Sequence, residues 1–136
     1  MTTKVFGNSV KRREDPRMVT GYGNYVDDIK LPRMLHVSLA RSPHAHANIK
    51  AIDTSKARAS EGVVAVFTGG QLKDQLGSLP VGWVVPDTKE VPHPPMAVDR
   101  VRYVGDIVAA VVASGPPLAA DAALLVEVDY EPLPAV

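Results

Sequence analysis

Apolar and polar positions alternate along the chain in short stretches that predict strands and short helices. Leu35, Val37 and Leu39 alternate with His36, Ser38 and Ala40, the period of two expected of a half-buried strand, and Pro43 interrupts it. Ala47, Ile49 and Ala51 alternate with Asn48 and Lys50 and predict a second strand. Asp53 or Thr54 then caps a helix to about Ser60, and Gly62 stands where a glycine ends a helix. Val63 to Phe67 is a continuous apolar run rich in valine, the pattern of a strand buried on both faces. Thr68 and Gln71 have the spacing of a capping box and predict a helix to about Gln75.

Residues 77–97 break this regularity. Prolines stand at 80, 86, 92, 94 and 95 and glycines at 77 and 82, which predicts a long connection with little regular structure. Long loops in a compact domain are usually functional or held by something outside it. Beyond the loop, Val101 and Tyr103 alternate with Arg100 and Arg102, and Ile107 to Ala113 is a second continuous apolar strand. Pro116 or Pro117 suits the first turn of a helix to about Leu125, with Leu118, Ala122 and Leu125 on one face. Val126, Val128 and Tyr130 alternate with Glu127 and Asp129 in a last strand, ended by Pro132 and Pro134. Upstream, residues 7–31 are polar and turn-rich. They predict a helical turn around Pro16 ended by Gly21, then an extended piece from Tyr25 and Val26 closed by Asp27 and Asp28. The order β–β–α–β–α–loop–β–β–α–β lacks strict βαβ alternation. It predicts an α+β fold over residues 1–136, a single domain with a mixed β-sheet and short flanking helices.

Composition narrows the function. The chain has 136 residues, enough for one domain. Its 15 basic and 15 acidic residues balance, which gives no general reason to expect nucleic acid. There is no cysteine, so disulfides and cysteine-based zinc or iron–sulfur ligation are excluded for these residues. The longest apolar runs are too short to cross a membrane, and Met1-Thr2-Thr3-Lys4 has no signal-peptide character, so a cytoplasmic location is expected.

No catalytic constellation emerges from the residues. His44 and His46 would share one face of an extended segment, but no third metal ligand has suitable spacing. They read instead as polar residues of an inter-strand turn. Gly21-Tyr22-Gly23 lacks the preceding buried strand of a phosphate cradle and reads as a turn. Lys11-Arg12-Arg13 is followed at once by Glu14-Asp15, a mixed patch suited to solvent or a protein partner. The serines lack a nucleophile-elbow context. Trp83, the only tryptophan, fits two roles equally: an anchor folded under its loop, or an anchor for a partner.

Six stretches together resemble a known family. Ser9-Val10-Lys11-Arg12-Arg13-Glu14-Asp15-Pro16-Arg17, with Thr20-Gly21 and Tyr25-Val26-Asp27-Asp28-Ile29, is similar to the start of a molybdenum hydroxylase large subunit. So, in order, are Arg41-Ser42-Pro43-His44-Ala45-His46-Ala47, Ile52-Asp53-Thr54-Ser55 and Gly62-Val63-Val64-Ala65-Val66-Phe67-Thr68. Val101-Arg102-Tyr103-Val104-Gly105 and the closing Val128-Asp129-Tyr130-Glu131-Pro132-Leu133-Pro134-Ala135-Val136 complete the set. The family includes xanthine dehydrogenase, aldehyde oxidase and aerobic carbon monoxide dehydrogenase. Two departures stand out: Asp106-Ile107 lacks the family's proline, and Ser114-Gly115-Pro116-Pro117 replaces a charged stretch.

The resemblance is to the N-terminal α/β hammerhead domain. It implies that molybdopterin, often as its cytosine dinucleotide, and the catalytic glutamate belong to later domains. Iron–sulfur clusters and FAD would belong to partner subunits or domains. It assigns no catalytic, cofactor or metal residue to this chain. The expected role is scaffold, with Lys11, Arg12, Arg13, Arg41, His44, His46 and Trp83 as candidate subunit or domain interface residues and no nucleic acid or membrane partner. The alternative is a free-standing, non-catalytic assembly module. The abrupt stop at Val136, just after the closing signature, is expected either of a piece cut from a longer polypeptide or of a truncated gene.

Overall fold

The computed structural model describes residues 6–7, 9–80, 82–89 and 91–135. These fall into two compact units, Met1–Pro32 and Arg33–Val136. In the first, helix α1 (Asp15–Val19) forms around Pro16 as expected, and Gly21 beyond it takes a φ of +80°. The segment after Tyr25 is not extended. Val26–Asp28 is a 3₁₀ turn, because the Asp28 carboxylate folds back to accept the Tyr25 amide at 2.9 Å. A short acidic side chain offers the backbone this alternative to a strand.

The second unit holds six strands and three short helices: β1 (His36–Arg41), β2 (Ala47–Asp53), α2 (Ser55–Ala59), β3 (Val63–Thr68), α3 (Gly69–Leu72), β4 (Arg100–Val101), β5 (Ile107–Ala113), α4 (Pro116–Leu124) and β6 (Glu127–Pro132). The α+β class and the order of elements agree with the sequence. The strands form two antiparallel three-stranded sheets, β1–β5–β3 and β4–β2–β6, in place of one mixed sheet. Among the described residues, 77–97 holds no helix or strand. Two small cores result. Ala57, Val66, Val111, Ala122 and Ala123 fill the space between the first sheet and helices α2 and α4. Ala47, Ala97, Val101 and Val108 join the second sheet to β5.

The register of the first sheet shows which side chains share a face, since directly opposed residues point the same way. Ser38, Val111 and Val66 form one row, and Ala40, Ala109 and Thr68 the next. These lie on the helix-covered side, where Val66, Ala109 and Val111 are buried. Val37, Val112 and Ala65 form a row on the opposite side, and Leu39, Ala110 and Phe67 another. The period of two in β1 is present, but Leu35, Val37 and Leu39 point away from the helices and are exposed.

The reason lies in α4. Its buried residues are Ala119, Ala122 and Ala123, small side chains that let the helix lie close to β1 and β5 and pack, through Ala122 and Ala123, with Val66 and Val111. The predicted face of Leu118, Ala122 and Leu125 therefore does not form. Leu118 is diverted over Gly62, where a Cβ would stand 2.6 Å from its Cδ1 and where φ is +75°. Strand β4 is also shorter than the alternation predicts. The Arg102 amide leaves the ladder to donate to the Asp106 carboxylate at 3.0 Å, starting a turn that ends at Gly105 with φ +91°.

Candidate functional site

Three of the distinctive stretches meet at one end of the second unit. The turn between β1 and β2 carries Arg41 to His46, the turn between β4 and β5 carries Tyr103 to Asp106, and β6 carries Tyr130 to Pro134. Ser42 and Asp106 are the two buried polar residues of this region. The Ser42 amide donates to the Asp106 carbonyl and the Gly105 amide to the Ser42 carbonyl, both at 2.8 Å. The Ser42 hydroxyl accepts from the His44 amide at 3.0 Å and lies 3.1 Å from the His44 carbonyl. The Arg41 guanidinium donates to the Gly105 carbonyl at 2.8 Å from the outside.

The two histidines close the same structure. The His44 ring meets the Tyr130 ring edge-on with centroids 4.9 Å apart. His46 Nδ1 lies 2.8 Å from the Pro134 carbonyl, and the Leu133 amide donates to the His46 carbonyl at 2.9 Å. Burial pushes the Tyr130 phenol above its ordinary value; the Ser42 hydroxyl opposes this and the Asp106 carboxylate adds to it. Nearby on the wet face, Asn48 and Lys50 hold the Glu131 carboxyl below its ordinary value, with Lys50 at 2.8 Å.

This arrangement is a lock: hydrogen bonds among Arg41, Ser42, His44, Gly105 and Asp106 tie the turn after β1 to the turn before β5. Among the described residues no three His, Asp or Glu side chains gather to hold a metal ion. In the inter-strand turn His44 packs edge-on against Tyr130, and His46 Nδ1 faces the Pro134 carbonyl.

Of the other interface candidates, Trp83 stands 82% exposed, so the described structure does not fold it under its loop. Leu79, Val84, Val85 and Val91 of the same loop are exposed as well. Lys11, Arg12 and Arg13 are exposed in the first unit, where the Arg12 amide reaches the Asp15 carboxylate at 3.3 Å. The structure brings Arg41, His44 and His46 together; Trp83 lies on a separate loop. Sequence reasoning did not single out Ser42, Asp106 and Tyr130 as a unit. Their signal is each residue's place in or beside a motif, since Ser42 meets Asp106 from 64 residues away.

An apolar groove of about 450 Å³ runs between α4 and the strands, bordered by Ala40, Val108, Ala123, Val128 and Tyr130. No helix among the described residues is long and apolar enough to cross a membrane.

Comparison with known proteins gives the family of the chain. The carbon monoxide dehydrogenase large chain of Afipia carboxidovorans is 51% identical over 125 residues, covering 91% of this chain and 15% of the relative. Subunit gamma of the 6-hydroxypseudooxynicotine dehydrogenase complex of Paenarthrobacter nicotinovorans is 42% identical over 133 residues, covering 94% and 17%. The crystal structure of quinoline 2-oxidoreductase from Pseudomonas putida 86 superposes with a TM-score of 0.89 at 45% identity, over 96% of this chain and 16% of that one. The chain therefore spans about one-sixth of the length of the proteins it matches. The model of the aldehyde oxidase and xanthine dehydrogenase a/b hammerhead domain matches residues 20–134, and the chain belongs to that family.

Proposed function

We propose that residues 1–136 act as the N-terminal hammerhead part of the large subunit of a molybdopterin-dependent oxidoreductase, in a scaffold and assembly role. The whole subunit would hydroxylate a heterocycle or aldehyde, or oxidise carbon monoxide. The observation that carries this reading is the match of nearly the whole chain, at 51% identity, to 15% of a carbon monoxide dehydrogenase large chain.

Among the described residues no three His, Asp or Glu side chains gather, and His44 and His46 are engaged with Tyr130 and the Pro134 carbonyl. In this reading molybdopterin, as its cytosine dinucleotide, belongs to the remainder of the large subunit. Iron–sulfur clusters and FAD belong to partner subunits, and the assembly is cytoplasmic. The exposed loop around Trp83 and the basic run Lys11-Arg12-Arg13 supply contacts to those parts. Arg41, His44 and His46 act one step back, by fixing the shape of the end they occupy.

The test is to purify the polypeptide carrying this sequence from its source cells and measure its metals and flavin. Molybdenum, iron and flavin co-purifying in fixed ratio are expected. A homogeneous polypeptide free of all three contradicts the reading and favours a free-standing assembly module.

A further inference from the structure

The open face of the β1–β5–β3 sheet has no partner in the described structure, yet its two rows are wholly apolar. Val37, Val112 and Ala65 form one and Leu39, Ala110 and Phe67 the other. Val37 is 61% exposed and Phe67 40%. The helix-covered side of the same sheet is the more polar one, carrying His36, Ser38 and Thr68. A sheet that ends at water places its polar positions outward; strands that are apolar on both faces belong to sheets covered on both sides. Strands β3 and β5 are apolar along nearly their full length, so the sequence is built for a second cover that the described residues of the second unit do not provide.

We infer that the remainder of the same large subunit packs on this face, through an apolar surface of its own. The inference rests on the reading of the chain as part of that subunit. Three observations choose this occupant. The proteins matched carry this fold as about one-sixth of a longer chain, so the cover is at hand in the same polypeptide. The two rows contain no charged side chain, unlike the surface of a partner that comes and goes, and like the inside of a permanent interface. The face also runs across all three strands without a polar interruption, as a domain core does and an isolated exposed residue does not.

The experiment uses the polypeptide in its source cells. A photoreactive benzoylphenylalanine replaces Val37, the cells are irradiated, and cross-linked peptides are identified by mass spectrometry. A cross-link from position 37 to a peptide of the same polypeptide outside residues 1–136 is expected. A cross-link to residues 1–136 of a second copy, to a different polypeptide, or to nothing overturns the inference. Leu39→Asp in the same polypeptide should cut the yield of soluble subunit several-fold, and an unchanged yield of assembled subunit also counts against it. The mass of the unirradiated polypeptide on a denaturing gel reports separately on whether the chain is part of a longer subunit. A long polypeptide with no such cross-link refutes the docking face alone.

Discussion

Ser42 and Asp106 are buried side by side, and the Ser42 amide donates to the Asp106 carbonyl at 2.8 Å. This contact ties the turn after β1 to the turn before β5, 64 residues later in the chain. The Asp106 carboxylate then accepts the Arg102 amide at 3.0 Å, so one residue serves both turns. Asp106→Ala leaves a backbone donor without its partner, which costs about 1–3 kcal/mol. Urea denaturation should show the unfolding free energy fall by that amount, and Asp106→Asn should fall less because its carbonyl oxygen still accepts.

Adjacent glycines predict opposite outcomes. A Cβ on Gly69 would stand 2.1 Å from the Ala97 carbonyl oxygen, a backbone atom that cannot step aside. Gly70 has nothing within 4 Å of that position. Gly69→Ala is therefore expected to destabilise by about 1–3 kcal/mol or more. Gly70→Ala, in the same short helix, is expected to be neutral or to stabilise by roughly 0.5–1 kcal/mol. Thermal melting of the two variants side by side checks both.

Stability depends on pH at both ends of the range. Hydrogen bonds from Asn48 and Lys50 lower the Glu131 carboxyl from its ordinary 4.5, and the Ser55 amide lowers Asp53 from 3.8. Carboxyls lowered in the folded state contribute stability that is present above their ordinary values and lost as pH falls through the folded ones. Glu131→Gln should flatten the acid limb of a stability–pH curve below about pH 5. At the alkaline end, burial raises the Tyr130 phenol from 10.0, and Glu127 raises the Lys56 ammonium from 10.5. Groups raised in the folded state contribute stability below their ordinary values that is lost as pH rises through the folded ones. Tyr130→Phe should remove the tyrosine part of that alkaline loss.

Trp83 reports on assembly, because it is the only tryptophan and stands in water. In a preparation of the 136-residue chain its emission should be that of a solvated indole, open to acrylamide. In the assembled subunit, the difference in emission between the native protein and Trp83→Phe should be that of a blue-shifted indole resistant to quenching. Trp83→Ala should change the stability of the chain by less than about 0.5 kcal/mol, as exposed substitutions do, yet weaken complex formation in a pull-down.

The order of elements was readable because each carries its own local signal. The two continuous apolar runs became β3 and β5, and Asp53 holds the start of α2 by accepting the Ser55 amide at 2.8 Å. Thr68 and Gln71 make the predicted box, with the Thr68 amide on the Gln71 side chain at 3.0 Å. What was not readable depends on partners distant in sequence. The alternation in β1 gives a period but not which half faces the helices, which is decided by the side of the sheet that α4 covers with its buried alanines. The early end of β4 depends on Asp106, a carboxylate that looks like an ordinary turn residue until it is seen buried. The Ser42–Asp106–Tyr130 lock was not readable because it needs three segments brought together.

The central claim is that this chain is a structural sector of a longer large subunit, and the mass of the native polypeptide tests it most directly. An antibody to these residues, with mass spectrometry of the captured species, measures it in the source cells. A polypeptide several times heavier than 14.5 kDa is the result expected. A native species of 14.5 kDa would contradict the account and show a small protein that stands alone.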